Sequence, residues 1–568
     1  VTVLAGLDIG NSTTEVVLLE AGGGVRPLAA RRMPTVGRKG SPESLAAAAR
    51  LLQEAERSAE CRADQVAVAH LHPADTMDVV VRLDAGVPNA VRRIDHASTP
   101  AGEGFAAGRL VGITSLAGKP PGDDLIVWVP GDVGFEEAAT RLRMALAAGW
   151  PITGIVAAGD DARLISNRLG ARLPIVDEAD LTGVTPGARV AIEVAPAGEA
   201  LRQLCDPVAV ATALRIPPAE LTRVDEDVRR LADLPAAAIV RHLPPAGHPS
   251  AGPVLEVEDG AGRWSLSLAD PGLADNITYV RPGSVRQLVL SQSPDERRAI
   301  SACDAHFLDL RRLQDILLTR RDAFVCQSVV VAALSAEPAL QVSETLSALL
   351  DRPVSTVASE VQAARLGAAT TPGVGEAVTV CDLGGGTIDV AAAKGASVTA
   401  AGGGEMLTAA VAALLAIPRE QAEVAKRGPS VRVLSPYLVE HEDGVRRFLG
   451  EPAAPEAVGH LCRAAGLAPI DLGLTAEIAP QEWRAARSFL KLRAIGHDVE
   501  RCLRVVPASD VLILCGGAAL DAEAMRIVSH ALRPRGVVVG RANVLGRYGP
   551  LYAVATGLVL RLLTPGNG

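Results

Sequence analysis

The chain has 568 residues, with 56 Lys and Arg against 65 Asp and Glu and a formal net charge of −9. That balance argues against a general nucleic-acid binder, which needs a basic surface, and an aromatic content of 2% argues against base-stacking platforms. With 48% hydrophobic and 21% charged residues the chain is globular. It is long enough for several folding units, with a core of Ala, Val and Leu that favours helices on parallel strands.

Val1 to Gly10 lacks a basic stretch followed by an apolar one, so no signal peptide is expected. No uncharged apolar run reaches bilayer length; Phe324 to Ala336 and Met406 to Pro418 have the length of buried helices. The Cys residues form no C-x-x-C pair, so reduced core thiols are expected rather than a metal cluster. The expected location is the cytosol.

In chain order, Thr2 to Ile9 reads as a strand, Gly10 to Thr13 as a turn and Glu15 to Leu19 as a returning strand. An Ala-rich helix is predicted over about 44 to 60. From about residue 87, strands at Leu125 to Val129, Ile152 to Ala158 and Leu173 to Val176 alternate with helices at Phe135 to Ala148 and Asp161 to Leu169. This is the pattern of a separate α/β module, followed by a helix near Pro218 to Ala232. Leu243 to Pro253 reads as a linker, and residues 260 to 345 as mixed and helical in their second part. A second hairpin follows: strand Val378 to Cys381, turn Asp382 to Gly386, strand Thr387 to Ala393. A helix then opens at Gly402-Gly403-Gly404. A strand at Val511 to Leu514, a Gly516-Gly517 turn, a helix over Asp521 to Leu532, a strand at Val537 to Val539 and a helix over Leu551 to Leu562 close the chain. The expected units are 1–86, 87–243, 244–345 and 346–568.

The two hairpins echo each other. Asp8-Ile9-Gly10-Asn11-Ser12-Thr13 and Asp382-Leu383-Gly384-Gly385-Gly386-Thr387 each set a carboxylate at a strand end before a tight turn of small residues. Glycines let backbone N–H groups approach phosphate oxygens, and hydroxyls add donors. Asp8 and Asp382 suit a hydrated Mg²⁺ ion, and a carboxylate can also orient an attacking water. Gly402, Gly403, Gly404 and Glu405 open a helix whose N–H groups are expected to hold phosphate. Gly516 and Gly517 offer bare backbone to a flat base. Glu360 opens Glu360-Val361-Gln362-Ala363-Ala364-Arg365-Leu366-Gly367, whose small residues suit two closely crossing helices. Each element alone is commonplace; their order and spacing carry the reading. No G-x-x-x-x-G-K-[ST] loop is present, since Gly118-Lys119 is followed by Pro120, and Gly102-Glu103-Gly104 follows no strand.

Together these segments resemble the actin, sugar kinase and heat-shock chaperone ATPase superfamily. In that resemblance Asp8 to Thr14 and Asp382 to Asp389 are the phosphate motifs, Gly516 and Gly517 the adenosine motif, and Glu360 the start of the first connecting helix. The implied fold is α/β: an actin-like (ribonuclease H-like) two-lobed ATPase with an inserted swivelling α/β domain and a small helical linker region. AGLDIGNSTTEV, GIVAAGDDARLISNRLGARLPIVDE, SEVQAARLGAATTPG, CDLGGGTIDV and NVLGRYGPLYAVATGLVL resemble the large subunit of diol and glycerol dehydratase reactivating factors.

That resemblance implies a chaperone-like ATP hydrolase that uses ATP/ADP and Mg²⁺. It implies a small partner subunit, an α2β2 heterotetramer, and action on a cobalamin-dependent diol or glycerol dehydratase whose adenosylcobalamin is damaged. A place beside a bacterial microcompartment is compatible with it; nucleic-acid and membrane partners are not expected. Thr99, Asp160 and Asp177 match family positions for a second divalent ion, Mg²⁺ or Ca²⁺, at the small-subunit interface. Read without the resemblance, Asp160 and Asp177 are polar strand ends. Arg311-Arg312 and Arg320-Arg321 read as a solvated helix face, and His497 and His530 as helix-surface residues. The alternatives are a polyol or sugar kinase of the same superfamily, an iron–sulfur electron donor to acyl-CoA dehydratases, and an actin-type filament.

Overall fold

The structure is a computed structural model. It describes residues 2–22, 24–80, 90–95, 99–185, 187–228, 231, 234–241, 254–259, 262–267, 282–293, 296–310, 313, 328–375, 377–393, 395–467, 478–506 and 509–564. The Leu243 to Pro253 linker and both arginine pairs at 311–312 and 320–321 lie outside the described residues. The chain divides into two compact units. One comprises Val1–Leu83, Ala251–Leu313 and Ala323–Gly568; the other is built mainly from Asp84–Ser250.

The first unit contains the same sheet twice. In one five-stranded sheet, Val354–Ser359, Gln65–His70 and Thr2–Ile9 run parallel. Thr13–Ala21 and Val25–Pro34 then extend it antiparallel. In the other, Val538–Arg541, Val511–Cys515 and Thr379–Leu383 run parallel, and Thr387–Ala391 and Ser397–Ala401 extend it antiparallel. The echo in the sequence is therefore an echo of topology. Burial on both faces explains the first hairpin: Leu7, Ile9, Val16 and Leu18 are fully buried in one core, on which the helix Pro42–Ala59 packs with Leu45, Ala48, Leu52 and Ala55, and Leu4, Val17 and Leu19 are buried in another. Full burial of each large aliphatic side chain contributes about 1.5–3 kcal/mol.

Each sheet supplies one helix to the seam. Glu360–Ala368 follows the outermost strand of the first sheet, and Ala553–Leu563 lies beyond the last strand of the second. The two helices make the most extensive helix–helix contact of the unit. Ser359 caps the first of them, its hydroxyl accepting the Gln362 N–H at 3.4 Å, and so fixes Glu360 at the helix start.

Residues 260–345 differ from the sequence expectation. Among the described residues, Gly262–Ser267, Val254–Asp259, Val285–Ser293, Glu296–Asp309, Ser328–Ser335 and Ala74–Val80 form a six-stranded antiparallel sheet, Leu313 is helical, and a helix runs over Val342–Leu350. The strands were not expected there; residues 311–312 and 314–327, in the part expected to be helical, lie outside the described residues. The apolar run Ser328–Ser335 is a strand buried on both faces, which periodicity alone does not distinguish from a buried helix. A further four-stranded sheet covers Ser430 to Arg463.

The second unit holds a seven-stranded mixed sheet. Ile175–Val176, Ile152–Ala157, Leu125–Val129 and Gly104–Gly112 run parallel; Arg189–Val194, Ala236–Arg241 and Val91–Arg93 complete it antiparallel. Helices Phe135–Ala147 and Ala162–Leu169 pack on one core with Leu142, Ile155 and Ile165. Among the described residues no helix is long and apolar enough to cross a membrane.

Candidate functional site

The two hairpin turns meet. A Cβ on Gly385 would lie 2.2 Å from the Ser12 hydroxyl oxygen, and one on Gly386 2.5 Å from the Asn11 amide nitrogen. Only glycine permits this approach. The Asn11 amide donates to the Ala74 carbonyl at 2.6 Å, and the Ser12 hydroxyl donates to Glu405 at 2.9 Å. Behind the contact opens a cavity of about 790 Å³. Asp8, Gly10, Asn11, Ser12, Thr13, Glu360, Asp382, Gly384, Gly385, Gly386, Thr387, Gly404, Gly516 and Gly517 all line it. Of the predicted residues in this unit, Gly402, Gly403 and Glu405 are not among the lining residues.

Segment 402–405 plays a different part from the one expected. Gly402, Gly404 and Glu405 donate their N–H groups to the carbonyls of Gly386, Gly384 and Gly385, at 3.0, 3.0 and 2.7 Å. Those amides are spent on the hairpin turn and are not offered to a phosphate. In a trans peptide the C=O and the following N–H point opposite ways. Holding the Gly384 and Gly385 carbonyls therefore turns the Gly385 and Gly386 N–H groups away from the segment. The segment braces the turn, and of its residues Gly404 lines the cavity. Gly516 is fixed by contact as well: at φ +84° its Cβ would fall 2.0 Å from Asp382 Oδ1.

Charge is concentrated in this cavity. Asp8 stands opposite Glu15 across the first hairpin, and Asp382 opposite Asp389 across the second. Like charges directly opposite each other destabilise a sheet, so both pairs need a function or a counter-charge. Burial raises Asp8 well above the usual carboxylate range, reinforced by Glu15 and Glu360 and opposed by Lys39. Burial lifts Glu15 to about 7. Burial, then Asp389 and Glu360, lift Asp382 to about 8. Burial and Glu360 lift Asp389 to about 6 against hydrogen bonds from Thr399 and Thr387. Asp382 Oδ1 is buried with no hydrogen-bond partner. An orphaned oxygen on a buried carboxylate that already faces Asp389 fits a divalent cation. Among the described residues no three acidic, His or Cys side chains form a ready-made metal cage.

The counter-charge is Lys39. It is 5% exposed, and its ammonium lies 2.6 and 2.7 Å from the two Glu360 oxygens. Burial disfavours its charge, but Glu360 and Asp8 outweigh burial and hold it firmly protonated. Sequence reading missed Lys39, Glu15 and Asp389. The acids carried a signal, since an acid stands seven positions after the aspartate in both hairpins. Lys39 carried only its setting between Gly37 and Gly40, both at positive φ.

One cavity wall is a buried ion network. Arg487 donates to Glu523 at 2.7 and 3.1 Å and to Glu442 at 2.9 Å. Lys491 lies 2.7 Å from Glu523 and 2.5 Å from Asp521. Burial alone would raise Glu523, but Arg487 and Lys491 overcome it and hold it down to about 2. The folded value lies below the unfolded one, so this carboxylate stabilises the fold at neutral pH, and that contribution fades as pH falls from about 4.5 toward 2. Glu523→Gln is expected to cost about 3–5 kcal/mol at pH 7, because Lys491 and Arg487 are left under-compensated in a buried wall. The loss should shrink in denaturant titrations near pH 3.

In the second unit Thr99, Asp160 and Asp177 converge. The Thr99 hydroxyl lies against the Asp160 carboxylate and 2.8 Å from Asp177 Oδ2. Asp177 is buried, its Oδ1 has no hydrogen-bond partner, and burial raises its carboxyl against the Thr99 hydrogen bond. Of the two helix histidines read as surface residues, His497 is half-buried and pushed down to about 4 by burial and by Arg493.

Comparison with known proteins decides the family. The family model described as the diol dehydratase reactivase ATPase-like domain matches residues 286–562, and that described as the swiveling domain of the reactivating factor matches residues 92–247. The chain belongs to the diol dehydratase reactivase family. It is 29% identical to the diol dehydratase-reactivating factor large subunit of Klebsiella michiganensis and 28% identical to the propanediol dehydratase-reactivating factor large subunit of Citrobacter freundii. Each alignment spans 98% of both chains. Among solved structures it is similar to nucleotide-free diol dehydratase-reactivating factor (TM-score 0.74, 25% identity, 99% of this chain and 100% of that one). It is also similar to glycerol dehydratase reactivase (TM-score 0.73, 26% identity, with the same coverage). The fold is therefore the reactivase fold, an actin-like ATPase-like body with a swivelling insert.

Proposed function

We propose that this chain is the large, nucleotide-driven subunit of a reactivase for a cobalamin-dependent diol or glycerol dehydratase. The observation that carries the reading is the contact of the two hairpin turns over an acidic cavity, in a chain aligned end to end with reactivase large subunits.

ATP would lie with its phosphates against the backbone of Gly10 to Thr13 and Gly384 to Thr387, and its adenosine toward Gly516 and Gly517. Asp8 and Asp382 would hold a hydrated Mg²⁺, which when bound supplies charge neutralisation at the phosphates. Glu360 is the carboxylate placed to orient an attacking water, with Lys39 holding it and balancing charge. Hydrolysis changes which arrangement of the body the nucleotide favours. A partner that prefers one arrangement then feels that change as a shift in affinity. In this reading the ADP state releases damaged cobalamin from the dehydratase, and intact adenosylcobalamin rebinds. A small subunit completes an α2β2 assembly in the cytoplasm. Thr99, Asp160 and Asp177 would hold a second divalent ion against that subunit, two carboxylates and a hydroxyl being hard oxygen donors.

The test is rescue of a glycerol-inactivated dehydratase by the chain with its small subunit, ATP, Mg²⁺ and fresh coenzyme. Rescue should require nucleotide. Lys39→Ala should slow it by about 10²-fold, the usual cost of removing one charge-stabilising donor. Phosphoryl transfer to a polyol, or rescue that ignores nucleotide, would contradict the reading. The kinase alternative is not favoured, because the relatives matched along the whole chain are reactivase subunits.

A further inference from the structure

The cavity does not use a second buried ion cluster, which lies behind the second hairpin. Arg501 is 3% exposed, and Asp304, Asp498 and His306 are buried with it. Arg501 Nη2 donates to Asp304 Oδ1 at 2.9 Å. Its Nη1 donates to Asp498 Oδ1 at 2.5 Å and faces His306 Nδ1 at 3.1 Å. His306 Nε2 lies 3.1 Å from the Arg493 carbonyl. Burial and Arg501 push the imidazole down to about 3. It is therefore neutral, accepting from Arg501 through Nδ1 and donating to Arg493 through Nε2. Burying so much charge is costly unless geometry repays it.

Two contacts show what the cluster holds. Asp304 Oδ2 accepts the Ala401 N–H at 2.8 Å, and a Cβ on Gly402 would strike Asp498 Oδ2 at 2.2 Å. The backbone at 401–402 is thus clamped from two sides. Gly402 passes that constraint to the cradle through its hydrogen bond to the Gly386 carbonyl. At its other end the cluster is rooted in strand Glu296–Asp309. That strand belongs to the six-stranded sheet whose strands Ala74–Val80 and Val254–Asp259 flank the inserted unit in sequence.

We propose that Asp304 and Arg501 are positioning residues for the second phosphate cradle, fixing Ala401–Gly402 and, through the Gly402 hydrogen bond, the Gly386 carbonyl, so that the Gly386–Thr387 peptide and the turn it closes keep their direction. The inference rests on the ATPase reading for its consequence, though not for its geometry. It gives the cradle a rigid tie to the sheet from which the insert departs, so movement of one is resisted by the other.

The test uses Asp304→Asn, which removes the charge at constant size, with His306→Asn as a milder second variant should the first fail to fold. Hydrogen exchange on the nucleotide-free full chain should show the amides of 379–391 and 397–405 exchanging about ten-fold faster, with 354–368 unchanged. With wild type hydrolysing ATP, kcat should fall about ten-fold while KM and the one-to-one ADP stoichiometry hold; a general loss of folded protein would lower the stoichiometry instead. Unchanged exchange in both variants overturns the inference, whatever the kinetics. A wild-type chain that does not hydrolyse ATP overturns the functional reading and leaves the exchange result to decide the positioning role.

Discussion

Asp382→Asn is expected to lower ATP turnover by about 10²–10³-fold while leaving the nucleotide-free chain as stable as before, or more so. Asp382 ends the central strand of its sheet beside Asp389, with Gly516 packed on its Oδ1 and no donor for that oxygen. Its carboxyl is lifted to about 8 by burial and by Asp389, Glu360 and Glu15. The folded value lies above the unfolded one, so the free protein loses stability as pH rises from about 4 to about 8, and the loss levels off beyond. An asparagine cannot ionise, and its advantage in melting temperature should therefore grow from about pH 5 to about pH 8 and stay level above. Turnover and thermal melting on the same preparation check both halves. Loss of activity together with loss of stability would mean that Asp382 is a structural residue.

Gly557→Ala is expected to lose about 3 kcal/mol or more of stability, lowering the melting midpoint by roughly 4 °C in a unit of this size. On an open helix surface this substitution gains about 1 kcal/mol, because alanine is the better helix former. Here the sign reverses. A Cβ on Gly557 would lie 1.8 Å from the Ala363 carbonyl oxygen, and one on Gly367 would lie 1.8 Å from that of Ala553. The clash is with backbone on both sides of the crossing, so no side chain can turn away. Helices 360–368 and 553–563 must separate, and Glu360 moves with the first. Denaturant unfolding monitored with the wild type in parallel checks this; an unchanged midpoint would mean that the helices do not cross at these glycines.

The hairpins were legible because their signal is local: an apolar strand, an acid and a small-residue turn within six residues, twice. The crossing of the two seam helices was legible from Ala363, Ala364 and Gly367. The six-stranded sheet was not. Its strand Glu296–Asp309 opens on the consecutive charges Glu296, Arg297 and Arg298, which break any alternation, and its Asp304 and His306 read as a solvent face although both are buried. Lys39 was not legible because its meaning is a contact with Glu360, 321 residues later in the chain. The same holds for segment 402–405. The run of glycines marks the segment that lies against the second hairpin turn, but only the hydrogen-bond directions show that its amides hold the turn's carbonyls.

The central claim is that one nucleotide is held jointly by both hairpins. Calorimetric titration of ADP with Mg²⁺ into wild type, Gly10→Val and Gly385→Val tests it most directly. One site per chain in the wild type, abolished by either substitution, is the predicted result. Binding that survives disruption of one hairpin at undiminished affinity would contradict the account.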